Sequence, residues 1–405
     1  MRYVLNKVYD KEAVYSVITQ FLALLFPVFF IWYLSNDFGK DQVIIFEAVL
    51  SLVAFLGVIQ DYGTSIFLSH KKPCKVSLAK YAGVAIVLKL FIVFISSPFL
   101  YLAFILFGGN ADIYIYTFLI LLVGSFDSSF VFFCAGKSHY YSFLVALRLP
   151  ICFVVTYAFG GAVEAYLVGC VALSVVSFSY CLVATGYKLK YSSHLLMFLL
   201  VRYRLVTLTE AMTAIFSQLD GYLVSRVLSA DQAFIYLLIR KFIRAANTLM
   251  AYVYRIAYTR KKQNQVSSSN IIKIIFIFNT LAFICINMVG EMGVSYFFGS
   301  EISSQNVVVW VIFSQSLVLL VGGLKTIVRN TYLFIHEKFM LHFVATLFST
   351  LVFILPIICF YYLNANTDAM MISNLRVLAD VIYLLVVSIC IYLGSRSARK
   401  SLTSP

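Results

Sequence analysis

Three cations, Arg240, Lys241 and Arg244, lie inside a long apolar run near residues 232–254. A run of this length is typical of a membrane span, where a buried charge costs about 2.5–3.5 kcal/mol and usually faces protein or water. Arg240 and Arg244 are four residues apart, so they share one helix face and repel each other. The pattern favours a site that binds an anion. The alternative is an ion pair between helices combined with snorkelling of the long side chains.

The preceding apolar run, near 204–227, offers a partner for these cations. Its polar residues Glu210, Thr213, Ser217 and Asp220 recur at spacings of three, four and three. That spacing places them in one stripe on a helix. At 1.5 Å per residue, Asp220 and Arg240 both lie about 12 Å from the outer ends of their runs. We therefore predict that they are close, either at a functional site or as a bridge that only joins two helices.

Polar residues and a proline elsewhere add candidates for the wall of a polar cavity. Gln20 lies in the first apolar run, near 13–34, and Pro27 follows further along it. Proline frees a backbone carbonyl and allows a bend, so we interpret Pro27 as a hinge. Asp61, at the end of the apolar run 43–62, and Asp127, inside the run 113–135, could also line the cavity.

Three more charged residues are expected to have no such role. Lys89 is expected to snorkel to the membrane surface. Glu47 and Asp380 lie near the outer ends of apolar runs, where we expect them to be solvated.

Enzyme signatures are missing from the chain. No two of its five histidines have metal-ligand spacing, and there is no Walker loop, dinucleotide fingerprint or Gly-x-Ser-x-Gly motif. We therefore predict that the protein is not an enzyme, with no catalytic residue, no bound metal and no organic cofactor.

The amino-acid composition predicts which kind of secondary structure holds these residues. The 405 residues are 62% hydrophobic and 12% charged, whereas soluble proteins are about 45–50% apolar and about 25% charged. This predicts an all-α polytopic membrane protein. We expect about twelve transmembrane helices, at 13–34, 43–62, 79–107, 113–135, 143–160, 162–184, 204–227, 232–254, 271–290, 306–328, 340–362 and 375–394.

The distribution of positive charge predicts the orientation. With the N-terminus inside, 24 of the 31 Lys and Arg fall on the cytoplasmic side, and only Lys40, Arg226 and Arg376 fall outside. The positive-inside rule therefore favours an N-in, C-in protein, and the net charge of +14 reflects topology rather than nucleic-acid binding. We predict two six-helix lobes, 1–187 and 204–405, joined by an interfacial linker, 188–203.

Several segments resemble the polysaccharide flippases, the O-antigen transporter branch of the multidrug/oligosaccharidyl-lipid/polysaccharide exporter superfamily. The matching segments, in the order the family has them, are 20–27, 34–39, 55–63, 132–137, 220–223 and 228–236. The resemblance spans most of the first 260 residues. Beyond them, the match is one of hydropathy alone.

This resemblance implies a function and a location. It implies two lobes around a cationic central cavity that move an undecaprenyl-pyrophosphate-linked oligosaccharide, an O-antigen or capsule repeat unit, across the bacterial inner membrane by alternating access. Arg240, Lys241 and Arg244 would then bind the pyrophosphate headgroup. Asp220, with Glu210, would take part in the cavity or in coupling to Na⁺ or H⁺. The expected partners are membrane lipid and the polymerase and chain-length proteins of the same pathway.

Two other functions are compatible with a polytopic chain. An integral-membrane oligosaccharide polymerase or ligase would need catalytic residues in sizeable outer loops, and the predicted outer loops are short. A cation-coupled small-molecule exporter of the same superfamily would need an anionic cavity, and the cations near 240 argue against one.

Overall fold

The structure is a computed structural model of the chain. It describes residue 27 and residues 29–62, 75–106, 111–128, 131–132, 138–244, 246, 268–298, 306–328, 339–363 and 367–403. Every regular element within these ranges is a helix, so the predicted all-helical class is confirmed.

The chain forms two compact units, Met1–Ala214 and Ile215–Pro405. The helices of the first unit are α1 (29–37), α2 (Lys40–Asp61), α3 (Lys75–Leu106), α4 (Ala111–Gly124), α5 (Ser138–Phe159), α6 (Ala162–Ala184) and α7 (Ser193–Ala214). The second unit opens with a π-helical turn (Ile215–Leu219). Its helices are α8 (Asp220–Val227), α9 (230–244), α10 (Ser268–Phe298), α11 (Asn306–Val328), α12 (Phe339–Leu363) and α13 (Ala369–Thr403).

Seven of the described helices are long and apolar enough to cross a membrane, namely α2, α3, α6, α10, α11, α12 and α13. The chain is therefore a multi-pass membrane protein, as its composition predicts. The number of twelve spans and the cytoplasmic position of both ends remain predictions.

Several helix ends differ from the predicted runs, and two of them have a local polar contact beside them. α4 ends at Gly124 rather than near 135, and beside this end Gln60 donates to the Leu121 carbonyl at 2.9 Å and to the Ser125 hydroxyl at 2.8 Å. α13 begins at Ala369 rather than 375, because the Asp368 carboxylate accepts a bond of 2.7 Å from the Met371 N–H. A carboxylate at this position caps a helix start.

The segment predicted as the interfacial linker has structure of its own. Its second part is the start of α7, and Leu199 in that helix is buried in a cluster with Ala82, Val131 and Cys181. Just before the helix, the Lys190 N–H donates to the Ala79 carbonyl at 3.2 Å. The helix lies with the first unit because its apolar face joins that unit's core.

Gly83 in α3 allows the chain before α7 to approach this closely. A Cβ at position 83 would lie 2.5 Å from the Lys190 carbonyl oxygen, which is backbone. We predict that Gly83→Ala lowers the free energy of unfolding by about 1–3 kcal/mol, because the backbone must move. The thermal unfolding temperature in detergent measures this.

The matched control is Gly57→Ala in α2, where nothing lies within 4 Å of the added Cβ. That change is expected to stabilise the helix by about 0.5–1 kcal/mol. If Gly83→Ala were as stable as Gly57→Ala, the close approach of Lys190 would be refuted.

In the second unit, polar contacts fix α11 against α13. Ser314 donates to Asn374 at 2.7 Å, and Gln315 donates to Ser373 at 3.2 Å. Gln315 and Ser373 are fully buried. Buried side-chain bonds of this kind fix the register of two apolar helices, and here they fix the position of the next turn of α13, which carries Arg376.

Candidate functional site

The carboxylate of Asp220, at the start of α8, is fully buried and surrounded by arginine side chains. Arg240 of α9 donates its Nε to Oδ2 at 2.8 Å and a second guanidinium nitrogen to Oδ1. Arg376 of α13 donates to Oδ2 at 2.6 Å. The predicted proximity of Asp220 and Arg240 is confirmed, and the fork-like contact is the geometry that guanidinium and carboxylate favour.

Arg244 lies one turn beyond Arg240 on the same face of α9, as the spacing predicts. One of its guanidinium nitrogens lies 3.7 Å from Oδ1 of Asp220 and donates to the carbonyl oxygen of Ser217 at 2.7 Å. The Arg244 side chain is 22% exposed, whereas Arg240 is 1% exposed. Of the two, Arg244 is therefore the more accessible to a ligand.

The π-helical turn Ile215–Leu219 provides these carbonyl oxygens. Gln218 accepts a bond from Arg240 at 2.8 Å and one from Arg244 at 3.3 Å through its carbonyl, next to the Ser217 carbonyl. π-helical turns are rare and recur at functional sites. Ser217, a predicted site residue, thus takes part through its backbone, and Gln218 is a participant that the sequence analysis missed.

Arg376 is the second missed participant. The charge count assigns it to the outer side, at the edge of the predicted run 375–394. In the structure α13 begins at Ala369, so Arg376 lies about 10 Å into the helix. Its guanidinium is 5% exposed and bonded to Asp220. The sequence did contain a signal for its burial: Arg376 lies just inside the predicted apolar run and four residues before Asp380, on the same helix face.

We call Asp220, Arg240, Arg244 and Arg376 the arginine cluster. It sets three guanidiniums against one carboxylate, an excess of two positive charges within this set. The carboxylate also accepts bonds from the Tyr236 hydroxyl at 3.2 Å and the Gly221 N–H at 3.0 Å, so both of its oxygens are engaged. The excess of guanidinium groups is chemically suited to binding an anionic ligand.

The two remaining predicted residues of the second lobe are Lys241 and Glu210. Lys241, next to Arg240 on α9, is half-buried and makes interactions of its own. Glu210 is half-buried in α7, which belongs to the first unit. Their roles in binding or coupling remain predictions.

In the first unit, Asp127 follows α4 instead of lying inside a helix. Its carboxylate accepts a bond from Tyr141 at 2.5 Å, and its carbonyl accepts one from Lys89 at 2.9 Å. Lys89 is 7% exposed, so the expected snorkelling is wrong, because the Asp127 carbonyl provides a partner inside the protein.

For the other predicted site residues of the first unit, the structure gives the helix position and burial of Asp61 and Pro27. Asp61 is the half-buried last residue of α2. Pro27 is helical and half-buried, and its role as a hinge remains a prediction. Gln20 lies outside the described residues.

Glu47 and Asp380 were expected to be solvated, and both are buried. Asp380 forms an ion pair of 2.8 Å with Lys325 of α11. Both residues lie in long helices that pack against neighbours, and distance from a helix end does not reveal that packing.

Among the described residues, no group of three His, Cys, Asp or Glu could hold a metal ion.

Comparison with solved structures shows the fold. The chain is similar to the lipid II flippase MurJ in an inward closed conformation, with a TM-score of 0.66 and 15% identity over 95% of this chain and 87% of that one. It is also similar to a multidrug resistance MATE family transporter of the MOP superfamily. The outward-facing form gives a TM-score of 0.56 at 14% identity, over 96% of each chain. The inward-facing form gives 0.53 at 12% identity, over 97% of this chain and 96% of that one.

No family model matches the sequence, and no curated protein matches it. The chain thus shares the fold of the MurJ flippase and of MATE transporters at identities that establish the fold alone.

Proposed function

We propose that this protein is a flippase that moves an undecaprenyl-pyrophosphate-linked oligosaccharide from the inner to the outer leaflet of the bacterial cytoplasmic membrane. The movement occurs by alternating access and is coupled to an ion. The observation that carries the proposal is the arginine cluster, which holds three guanidiniums deep in a helical membrane unit. The partners would be lipid and the polymerase and chain-length proteins that use the flipped substrate.

The chemistry of the cluster suits a pyrophosphate. Guanidinium presents a planar fork of donors that matches phosphate oxygens in bidentate fashion, and it keeps its charge. Arg244 is held mainly by backbone carbonyls and is the most exposed member, so it is the first contact for an incoming headgroup. Arg240 and Arg376 would follow as the phosphate oxygens replace the carboxylate of Asp220.

The likeness to MurJ supports a flippase of lipid-linked substrates, because MurJ is itself a lipid II flippase. The polar headgroup cannot cross about 30 Å of hydrocarbon unaided, whereas the prenyl chain can remain in lipid. The protein therefore needs a polar, cationic path rather than a catalyst.

The likeness to MATE transporters favours a second candidate, a cation-coupled exporter of small molecules. A carrier of cationic drugs needs carboxylates that are accessible to its substrate. Asp220 is fully buried and engaged by arginines, and this distribution of charge favours the anionic substrate.

Flipping by the purified protein tests the proposal. Proteoliposomes would carry a fluorescent undecaprenyl-pyrophosphate-linked disaccharide, and a membrane-impermeant quencher would report the label in the outer leaflet. We expect faster exchange between leaflets than in protein-free vesicles, and competition by unlabelled substrate but not by undecaprenol. Exchange at the protein-free rate, together with transport of a cationic dye, would replace the proposal with the exporter.

A further inference from the structure

A second buried polar group lies in the same unit and is distinct from the arginine cluster. Lys325 of α11 pairs with Asp380 of α13 at 2.8 Å, and its ammonium lies 4.8 Å from the centre of the Tyr383 ring. The Tyr383 hydroxyl lies 2.8 Å from Nδ1 of His342 in α12. His342 is 2% exposed and Tyr383 is fully buried. We call these four side chains the histidine relay.

The relay leads from one end of α12 toward the arginine cluster. His342 lies in the first turn of α12, which is its predicted cytoplasmic end. Asp380 and Tyr383 lie deeper, on α13, and Arg376 is one turn further along the same helix. Because Asp380 and Arg376 are four residues apart, they share a face of α13, and a change at the relay can reach the arginine that binds Asp220.

The groups that face His342 come from three helices. Tyr383 of α13 contacts its ring directly, with the two rings edge to face at 5.7 Å between centroids. Thr346 of α12 donates to the His342 carbonyl at 2.8 Å and lies 3.4 Å from Nδ1. Lys325 of α11 and Asp380 of α13 follow beyond the Tyr383 ring.

Of the charged groups of α8, Arg226 lies toward the other end of α12. There the Arg226 guanidinium lies over the Tyr222 ring, 5.6 Å from its centre. Tyr222 in turn interacts electrostatically with Tyr361, near the C-terminal end of α12. Among these groups, Tyr383 and Thr346 lie closest to His342, and the Lys325–Asp380 pair lies one step further.

We propose that His342 binds the proton that drives transport and that Tyr383 links its charge to the Lys325–Asp380 pair. This proposal rests on the proposed function and names its coupling ion. Histidine is the side chain whose ordinary pKa allows it to change charge near neutral pH. Within the relay, the Asp380 carboxylate is paired with Lys325, so His342 is the group proposed to take up the proton. Asp220, in the arginine cluster, is likewise paired with a cation.

The proton step is balanced by a reorientation of the tyrosine hydroxyl. We assign neutral His342 the tautomer with its hydrogen on Nε2, in which Nδ1 accepts a bond from the Tyr383 O–H. When a proton from the cytoplasmic or outer solution adds to Nδ1, the imidazolium donates to the Tyr383 oxygen, and the hydroxyl hydrogen must turn away. The added charge then lies close to the ammonium of Lys325 and opposes its position over the ring. Release of the proton reverses these changes.

Transport under a pH gradient tests the proposal. Full-length protein in proteoliposomes would flip the fluorescent undecaprenyl-pyrophosphate-linked disaccharide with and without a gradient of one pH unit. We expect His342→Gln to lower the ratio of the two rates to about 1 while exchange without a gradient continues. The matched control is His194→Gln, an exposed histidine of α7, which should keep the wild-type ratio. A wild-type ratio in His342→Gln would overturn the proposal.

A measurement without transport separates this proposal from the proposed function. Protein with ¹³C- and ¹⁵N-labelled histidine in nanodiscs would be titrated by NMR between pH 5 and 8.5, and the signal missing from His342→Gln identifies the residue. We expect that signal to titrate reversibly and its midpoint to move in Tyr383→Phe and Asp380→Asn, but not in His194→Gln. A His342 signal that stays unchanged over this range would refute the proton site, even if the protein proved to be a flippase.

Discussion

Replacing Asp220 by Ala is expected to lower the free energy of unfolding by about 3–5 kcal/mol, the typical cost of removing one partner from a buried ion pair. The substitution leaves Arg240 and Arg376 buried at 1% and 5% exposure without the carboxylate that both of them contact. Thermal unfolding of the purified protein in detergent measures the effect. For a unit of this size, the expected loss corresponds to a decrease of about 6–20 °C in the unfolding temperature.

The matched control is Glu291→Gln, which removes an acidic group from an exposed position of α10. Exposed charges contribute little to stability, so we expect about the wild-type unfolding temperature. An Asp220→Ala protein that unfolded together with this control would show that the cluster does not stabilise the second unit.

Replacing Asp220, Arg240 and Arg376 together distinguishes two costs of the single substitution, the cost of leaving buried charges unpaired and the cost of losing packing contacts. The triple variant Asp220→Leu, Arg240→Met and Arg376→Met removes the two fully enclosed charges that the single variant leaves without a carboxylate; the partly exposed Arg244 remains. We expect it to regain most of the lost stability, because apolar groups of similar volume can replace a buried ion network. A simple exchange, Asp220→Arg with Arg240→Asp, should regain little, because Arg376 would face an arginine at position 220.

The sequence predicts the helices and one contact of the site well. The apolar runs 162–184 and 306–328 coincide with α6 and α11, because hydrophobic length is the main signal that a membrane span leaves in a sequence. The contact between Asp220 and Arg240 was also predictable. The constant rise of a helix places both residues at one depth in adjacent elements of the chain.

The rest of the cluster depends on features that no local pattern contains. Arg376 comes from a helix that is 156 residues away from Asp220 in sequence, and its depth depended on a helix start that Asp368 sets. The π-helical turn that orients the carbonyls of Ser217 and Gln218 has no signature in the apolar periodicity. The burial of Asp380 is likewise a property of how α11 and α13 meet.

Arg244→Ala is expected to slow flipping by about 10- to 100-fold while the protein remains folded, because a hydrogen bond to a charged group contributes about 1.5–3 kcal/mol. Its guanidinium is the accessible member of the arginine cluster and is held mainly by backbone carbonyls, so its loss strands no buried carboxylate. Arg240→Ala should also slow flipping, but it should lower the stability of the protein as well, since Arg240 is enclosed. The initial rate of exchange in proteoliposomes and the unfolding temperature distinguish the two variants.

Two substitutions sharpen this comparison. Arg244→Lys keeps the charge but loses the planar fork, so we expect a rate between those of the wild type and Arg244→Ala. Lys188→Ala removes an exposed cation between α6 and α7 and should flip at the wild-type rate. If Arg244→Ala matched Lys188→Ala in rate, the guanidinium would not bind the headgroup, and the arginine cluster would be a structural ion network alone.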